Sequence, residues 1–269
     1  MALMLPIASA ALQFIPSGAI GPSSLGVLPL LPDGRCVDIA ESDAGLGGRL
    51  WPSAGALCRW QRGVADEIRG SHVIELGCGG GAVGIYAAAL GASDVTLTDG
   101  GSAELLALAR ANVELNRKLW ADGPGCTVRV ERLRWGERMG PRWVVPPQVK
   151  SWILGSDVTY ARAAQRDLCV EIGSLLEANP GSRAILAHER RGARFRGLRA
   201  WRGIRGLPVS ERPTRDRRLE HLEATAAELG LRVLGDVREG AAAAAEAGGR
   251  QRWQQPGHFI TLLEVEVRR

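Results

Sequence analysis

The residues with the clearest chemical potential lie between Val73 and Gly84, where an apolar run reaches Glu75 and enters a turn rich in glycine. An apolar, alanine-rich segment over 85–90 follows. This order is typical of a strand, a tight loop and a helix, because glycine lets the backbone turn with positive φ and approach a ligand closely. The N-terminus of such a helix offers unpaired N–H groups. The pattern therefore predicts a site for a nucleotide-like cofactor.

Two glycine patterns overlap in this loop and favour different cofactors. Gly79, Gly81 and Gly84 match the G-x-G-x-x-G pattern of dinucleotide-binding proteins. Gly77, Gly79 and Gly81, preceded by Glu75, match the G-x-G-x-G pattern associated with S-adenosylmethionine. The loop by itself leaves both cofactors open.

A second acidic residue, Asp99, ends the next predicted strand. A carboxylate in this position can accept hydrogen bonds from both ribose hydroxyls of an adenosine, which suits either cofactor. The alternative interpretation is that Asp99 is a turn residue before Gly100 and Gly101.

Three further segments narrow the choice. Residues 50–54 read Leu-Trp-Pro-Ser-Ala, residues 133–136 read Leu-Arg-Trp-Gly, and an apolar strand over 152–156 leads into an Asp-x-x-Tyr motif. Together with the glycine loop, and in this order, they resemble the small seven-stranded protein-lysine methyltransferases that modify chaperones, elongation factors and calmodulin. The resemblance runs from about residue 45 to about residue 191.

The resemblance implies an enzyme that transfers a methyl group from S-adenosylmethionine to a lysine of a protein substrate. It places Trp51 against the cofactor, Asp99 on the ribose and Trp135 over the adenine. It also places the Asp-x-x-Tyr motif at the entrance for the lysine. The implied cofactor-binding residues are Trp51, Glu75, Gly77, Cys78, Gly79, Asp99, Trp135 and Ser156, and the implied catalytic residues are Asp157 and Tyr160.

Several of these residues also have a purely structural interpretation. Trp51 is then a core tryptophan that closes the sheet, and Trp135 contributes only packing. Asp157 is then the N-cap of the helix that follows its strand.

The predicted strands and helices alternate, which favours an α/β fold with a mainly parallel sheet. With the resemblance, we expect a Rossmann-like, seven-stranded class I methyltransferase domain over 33–269, with an antiparallel C-terminal hairpin, after a loose leader over 1–32. A low-complexity linker is expected at 240–250. Strands are predicted at 35–39, 73–76, 93–99, 127–133, 152–156, 184–187, 231–237 and 259–267, and helices at 52–68, 85–90, 102–119, 169–176 and 219–229.

The composition of the 269 residues is that of a soluble enzyme, with 45% apolar residues. The five cysteines include no C-x-x-C pair, which favours a reducing compartment and excludes a typical zinc motif. The four histidines show no metal-ligand spacing, and no apolar run approaches the roughly 20 residues of a membrane helix. We expect a monomer in the cytoplasm, with the nucleus as the alternative, and neither metal nor membrane binding.

The net charge of +5 comes almost entirely from arginine, and Lys118 and Lys150 are the two lysines. Arginines are dense from Arg190 to Arg218. Genomic base composition explains such a bias equally well. The functional interpretation is an exposed stretch at the substrate entrance that favours acidic surroundings of the target lysine. This arginine-rich stretch contains one Trp and one Phe, which are too few for a nucleic-acid stacking platform.

Three other functions stay open at this point. The first is methyl transfer to another nucleophile, such as a histidine, a small molecule or RNA. The second is a nicotinamide-dependent oxidoreductase, which explains G-x-G-x-x-G but gives Trp51 and the Asp-x-x-Tyr motif no role. The third is a catalytically inactive relative that uses the fold for protein contacts.

Overall fold

The structure is a computed structural model in which residues 19–20, 28–43, 45–121, 125–136, 143–190, 216–235 and 259–268 are described. Short 3-10 turns lie at Leu46–Gly48 and Arg117–Leu119. The strands and helices follow in the order β1 (Ala19–Ile20), β2 (Glu41–Ser42), α1 (Pro52–Gly63), α2 (Ala65–Ile68), β3 (His72–Leu76), α3 (Ala82–Leu90), β4 (Asp94–Asp99), α4 (Ala103–Asn116), β5 (Thr127–Arg132), β6 (Ser151–Ser156), α5 (Arg162–Ala178), β7 (Arg183–Arg190), α6 (Arg217–Glu228), β8 (Leu231–Gly235) and β9 (Phe259–Val267).

Seven strands form one sheet in the order β5-β4-β3-β6-β7-β9-β8. Strands β3 to β7 pair in parallel, whereas β9 runs antiparallel to both β7 and β8. The predicted α/β fold, mainly parallel with an antiparallel C-terminal hairpin, is confirmed. Glu75 of β3 pairs with Leu97 of β4 and with Leu154 of β6. The carboxyl ends of the central strands therefore meet at one edge, where ligands bind in sheets of this kind.

Helices cover both faces of the sheet, because successive residues of a strand point to opposite sides. Val73 and Leu154 belong to one core cluster with residues of α1, α3 and α4. Ile74 and Ile153, the neighbours of these two residues, belong to a second cluster with residues of α5 and α6. The central strands are thus buried on both sides, which holds their carboxyl ends rigidly.

One predicted strand is wrong. Residues 35–39 form no strand, and the backbone of this region is bonded instead by two asparagine side chains of α4. Asn116 accepts a hydrogen bond from the amide of Asp38, and Asn112 accepts one from the amide of Ala40, both at 2.9 Å. Both asparagine residues are buried. The extended segment therefore satisfies backbone groups without a neighbouring strand.

The helix boundaries also differ from the predicted ones. The helix predicted over 52–68 is interrupted at Val64, whose φ of −119° and ψ of 28° are not helical. Gly63 and a β-branched residue meet there, and both are weak helix formers. Helix α3 begins at Ala82, three residues before the prediction, and α5 begins at Arg162, seven residues before it.

Several sequence predictions fall outside the described residues and stay predictions. These are most of the leader over 1–32, the arginine-rich stretch over 191–215 and the linker over 240–250. Within the leader, Leu31 is buried in the core, and the carbonyl of Leu30 accepts a hydrogen bond from Tyr86 Oη at 3.1 Å. Among the helices that the structure describes, none combines the length and apolar character needed to cross a membrane.

Candidate functional site

A cavity of about 510 Å³ opens at the carboxyl edge of the central strands. It lies where the loop after β3, the end of β4 and the loop after β6 come together. All ten site residues that the sequence indicates line this one cavity, although the role of each stays a prediction. They are Trp51, Glu75, Gly77, Cys78, Gly79, Asp99, Trp135, Ser156, Asp157 and Tyr160.

The loop between β3 and α3 requires glycine for two separate reasons. Gly77 and Gly79 have φ values of 64° and 53°, in the left-handed region that side chains disfavour. In addition, a Cβ on Gly77 would lie 2.8 Å from Val158 Cγ1, and one on Gly79 would lie 2.5 Å from the carbonyl oxygen of Gly47. The loop therefore forms a floor of bare backbone that a ligand can approach closely.

Glu75 lies beneath this floor and is almost fully buried. Its Oε2 accepts a hydrogen bond from the amide of Gly84 in the first turn of α3, at 2.7 Å. Burial raises the pKa of the Glu75 carboxyl from 4.5 to about 8, although hydrogen bonds from the amides of Gly84 and Val83 oppose that shift. Glu75 therefore ties the end of β3 to the start of the helix.

Asp99 holds the other side of the same loop. Its Oδ2 accepts from the amide of Gly79 at 2.9 Å, and its Oδ1 accepts from the amide of Gly101 at 2.8 Å. The turn interaction and the position in the cavity therefore occur together. A carboxylate has about four acceptor positions, so two remain for ligand donors such as a pair of ribose hydroxyls.

The two tryptophan residues contribute aromatic surface on different sides of the cavity. Trp51 is partly exposed, and its Nε1 donates a hydrogen bond to the carbonyl of Leu46 at 3.0 Å. Trp135 packs against the second core cluster while its ring lies near Gly77. Neither side chain is confined to the core, so each leaves ring surface for a flat or apolar ligand group.

The loop after β6 contains the Asp-x-x-Tyr motif. Asp157 has a φ of 52°, the one positive value among the described non-glycine residues, and its amide donates to the carbonyl of Ala187 at 3.0 Å. The N-cap of α5 is Ala161, so the interpretation of Asp157 as a helix cap is wrong. Its side chain is 9% exposed, whereas Tyr160 is 41% exposed and lies nearer the mouth.

Asp167 is a cavity residue that sequence reasoning missed. It lies on α5, three residues after Ala164, and both line the same opening as Tyr160. The side chain is exposed, and no described residue forms an ion pair or hydrogen bond with it. The i, i+3 spacing of Ala164 and Asp167 would have placed both on one face of the helix after the motif. The predicted helix began at residue 169, so it did not include Asp167.

In the part of the chain that the structure describes, no group of three or more His, Cys, Asp or Glu side chains is placed to hold a metal ion. Cys78 lines the cavity, but burial raises the pKa of its thiol well above the ordinary value. This thiol therefore stays protonated and is not an activated nucleophile.

A family model for lysine methyltransferases matches residues 33–196, which is more than half of the chain. The chain belongs to the lysine methyltransferase family. The matched region contains the glycine loop, Asp99 and the Asp-x-x-Tyr motif, whereas α6, β8 and β9 lie beyond it.

Individual relatives agree with this family. The chain is 30% identical to a calmodulin-lysine N-methyltransferase of Arabidopsis thaliana, over 53% of this chain and 45% of the relative. It is 38% identical to protein N-lysine methyltransferase METTL21A of Danio rerio, over 43% of this chain and 49% of the relative. The chain thus matches about half the length of these members of the lysine methyltransferase family.

Among solved structures, TrmN from Thermus thermophilus superimposes with a TM-score of 0.47 and 19% sequence identity. The superposition covers 84% of this chain and 51% of that one.

Proposed function

We propose that this protein is an S-adenosylmethionine-dependent methyltransferase whose acceptor is a lysine side chain of another protein. One observation carries the proposal: the residues assigned to cofactor and acceptor, which span Trp51 to Tyr160 in sequence, line a single cavity. Membership of the lysine methyltransferase family supports the same conclusion. So do the relatives reported above, a calmodulin-lysine N-methyltransferase and a protein N-lysine methyltransferase.

The residues on the cofactor side fit S-adenosylmethionine. Gly77 and Gly79 line the cavity with bare backbone that a ligand can approach closely, and Asp99 keeps acceptor positions for ribose hydroxyls. Trp51 and Trp135 supply apolar ring surface. When bound, S-adenosylmethionine supplies an already activated methyl group on a sulfonium. The protein therefore needs to align the acceptor and exclude water, with little acid–base work.

The acceptor side has to deliver an unprotonated amine, because the reference pKa of lysine is near 10.4. We assign Asp157 to orient the arriving amine, since this buried carboxylate lies at the inner end of the mouth. The half-exposed ring of Tyr160 lines the path to it. Low solvent content at this point favours the neutral amine and lowers the cost of losing its proton.

The oxidoreductase alternative is less well supported by the same cavity. Hydride transfer to a nicotinamide gives no role to Trp51 or Tyr160, yet both line the cavity together with Asp99. A catalytically inactive relative is also less well supported, because Glu75, Asp99 and Asp157 are all retained around an open cavity.

We propose that the protein is a monomer. We also propose that it works in a reducing compartment, the cytoplasm or the nucleus. All five cysteines are free, and three of them are buried. Unpaired buried thiols persist where glutathione keeps them reduced.

The proposal is tested by binding and by transfer. Calorimetry should detect binding of S-adenosylhomocysteine to the protein but no binding of NAD. The purified protein, incubated with methyl-tritiated S-adenosylmethionine and separate protein and RNA fractions, should label protein, and acid hydrolysis should release methyl-lysine. Label in methyl-histidine or in RNA would replace lysine by that acceptor. Binding of NAD without S-adenosylhomocysteine would overturn the proposal altogether.

A further inference from the structure

A chain of three buried polar side chains lies behind the loop that carries Asp157 and Tyr160. Thr159, which directly precedes Tyr160 in the motif, is fully buried, and its Oγ1 lies 2.6 Å from Nδ1 of His188 on β7. The other ring nitrogen of His188, Nε2, lies 3.0 Å from Oδ2 of Asp216, the N-cap of α6. The side chains of His188 and Asp216 are 1% and 7% exposed.

The direction of the hydrogen bond between His188 and Asp216 follows from the state of Asp216. Asp216 also accepts from the amides of Arg218 and Leu219. Burial alone would raise the pKa of the Asp216 carboxyl, but hydrogen bonds from His188 and from these amides outweigh it and hold the pKa below its ordinary value. An ionised carboxylate only accepts, so Nε2 of His188 carries a hydrogen. Nδ1 then accepts the hydroxyl hydrogen of Thr159 if it carries no hydrogen itself, and donates to Oγ1 if it does, so the bond to Thr159 is present in both cases.

Other elements hold the same loop by its backbone. Gln165 on α5 donates to the carbonyl of Thr159 at 2.7 Å, and Arg218 on α6 donates to the carbonyl of Tyr160 at 3.0 Å. The amide of Asp157 donates to β7. Three elements therefore converge on four residues, and His188 bonds the loop through the side chain of Thr159, a residue of the motif itself.

The loop needs such fixing because Asp157 has left-handed backbone geometry. A non-glycine residue in a sparsely populated backbone region keeps that geometry when its surroundings impose it. The Asp–His–Thr order has the form of a nucleophilic triad, but Thr159 is fully buried and does not line the cavity. The chain of bonds therefore acts on the loop and not on a substrate.

We propose that His188, oriented by Asp216, is a positioning residue that fixes the loop after β6 and so sets the direction in which Asp157 and Tyr160 face the acceptor. Its catalytic consequence rests on the proposed methyltransferase function, whereas its effect on the loop does not. The two parts therefore have separate measurements.

The decisive variant is Thr159→Val, which preserves shape and removes the hydroxyl. Hydrogen–deuterium exchange read by mass spectrometry on a peptide containing residues 157–160 should become about tenfold faster or more, since a local opening becomes easier. Affinity for S-adenosylhomocysteine should stay within about twofold, and kcat for methyl transfer should fall about tenfold or more. Thr159→Ser, which retains the hydroxyl, should restore both.

Thr96→Val is the matched control. Thr96 on β4 is also a buried threonine, but it lines a separate cavity that contains no residue of the loop after β6. It should leave exchange of residues 157–160 and kcat unchanged. Equal effects of the two valine variants would overturn the proposal, because they would reflect general destabilisation.

Ring nitrogen NMR of the unmodified protein tests the arrangement without any variant that has to fold. The His188 ring should carry a hydrogen on Nε2, the nitrogen that faces Asp216. A hydrogen found on Nδ1 of a neutral ring, or unchanged exchange in Thr159→Val, would overturn the positioning role. Absence of methyl transfer by the unmodified protein, with the exchange result as expected, would instead overturn the proposed function alone.

Discussion

The carboxylate of Asp99 accepts a hydrogen bond from the amide of Gly79 at 2.9 Å, which links the end of β4 to the turn after β3. One side chain thus holds the glycine loop in place while it offers its remaining lone pairs to the cavity. This arrangement means that the loop geometry and the ligand contacts of Asp99 are not independent.

Replacing Asp99 by alanine is expected to weaken binding of S-adenosylhomocysteine by at least about tenfold, because each charge-assisted hydrogen bond contributes about 1.5–3 kcal/mol. Isothermal titration calorimetry measures this loss. Asp99→Asn retains one acceptor oxygen, so its affinity for S-adenosylhomocysteine should lie between that of the unmodified protein and that of Asp99→Ala. Circular dichroism should show an intact fold for both variants. If calorimetry shows an unchanged affinity for Asp99→Ala, Asp99 is not part of the adenosine site.

Asp157→Asn separates charge from backbone geometry, since asparagine tolerates left-handed φ as well as aspartate does. Loss of a charge-assisted contact to the arriving amine should lower kcat/KM by roughly 10- to 150-fold, equivalent to about 1.5–3 kcal/mol. Urea unfolding should give an unchanged midpoint. Asp157→Ala should lose activity and also some stability. Full turnover by Asp157→Asn, with unchanged cofactor affinity, would exclude a role for the charge.

Glu75 should make the stability of the fold depend on pH. Its pKa of about 8 in the folded state lies above the ordinary value of 4.5, so the folded chain binds a proton that the unfolded chain has released. The contribution of Glu75 to stability is then greatest below pH 4.5 and declines as the pH rises toward 8. Urea unfolding at several pH values measures the slope. Glu75→Gln keeps an acceptor for Gly84 and should flatten it, and an identical slope in that variant would assign the dependence to other groups.

Asp167→Asn should raise the KM for a protein substrate. An exposed carboxylate at the rim attracts a cationic lysine and acts mainly on the association of the substrate. Cofactor affinity and kcat should stay nearly constant. Glu177→Gln makes the same charge change on α5, away from the cavity, and serves as the control. Equal KM shifts in the two variants would show a general charge effect. Added salt should shrink the difference if the attraction is electrostatic.

The sequence predicted most of the sheet and the cavity because both depend on local patterns. Thr127 to Arg132 alternates along one strand, and the glycine loop lies directly after an apolar run. Since parallel strands share a carboxyl edge, motifs that are distant in sequence had to converge there. Asp99 and Asp157 reach one cavity for this reason.

Contacts that depend on long-range packing were not predictable in the same way. Asn112 bonds Ala40 across 72 positions, and Asn116 bonds Asp38 across 78. The segment predicted as a strand over 35–39 is therefore held by side chains of α4 and not by a neighbouring strand. The place of β9 between β7 and β8 likewise follows from pairing and not from chain order. Asp167 was missed because a helix start was placed too late.

Strand β8 is joined to the rest of the described sheet through β9. A ribosome produces β7, α6 and β8 well before residues 259–267, so the edge of β7 has no partner strand during that interval. Open strand edges pair readily with other chains, and non-local pairing forms slowly. The nascent chain is therefore exposed to aggregation between the synthesis of β8 and that of β9, and its dependence on chaperones should peak in that interval.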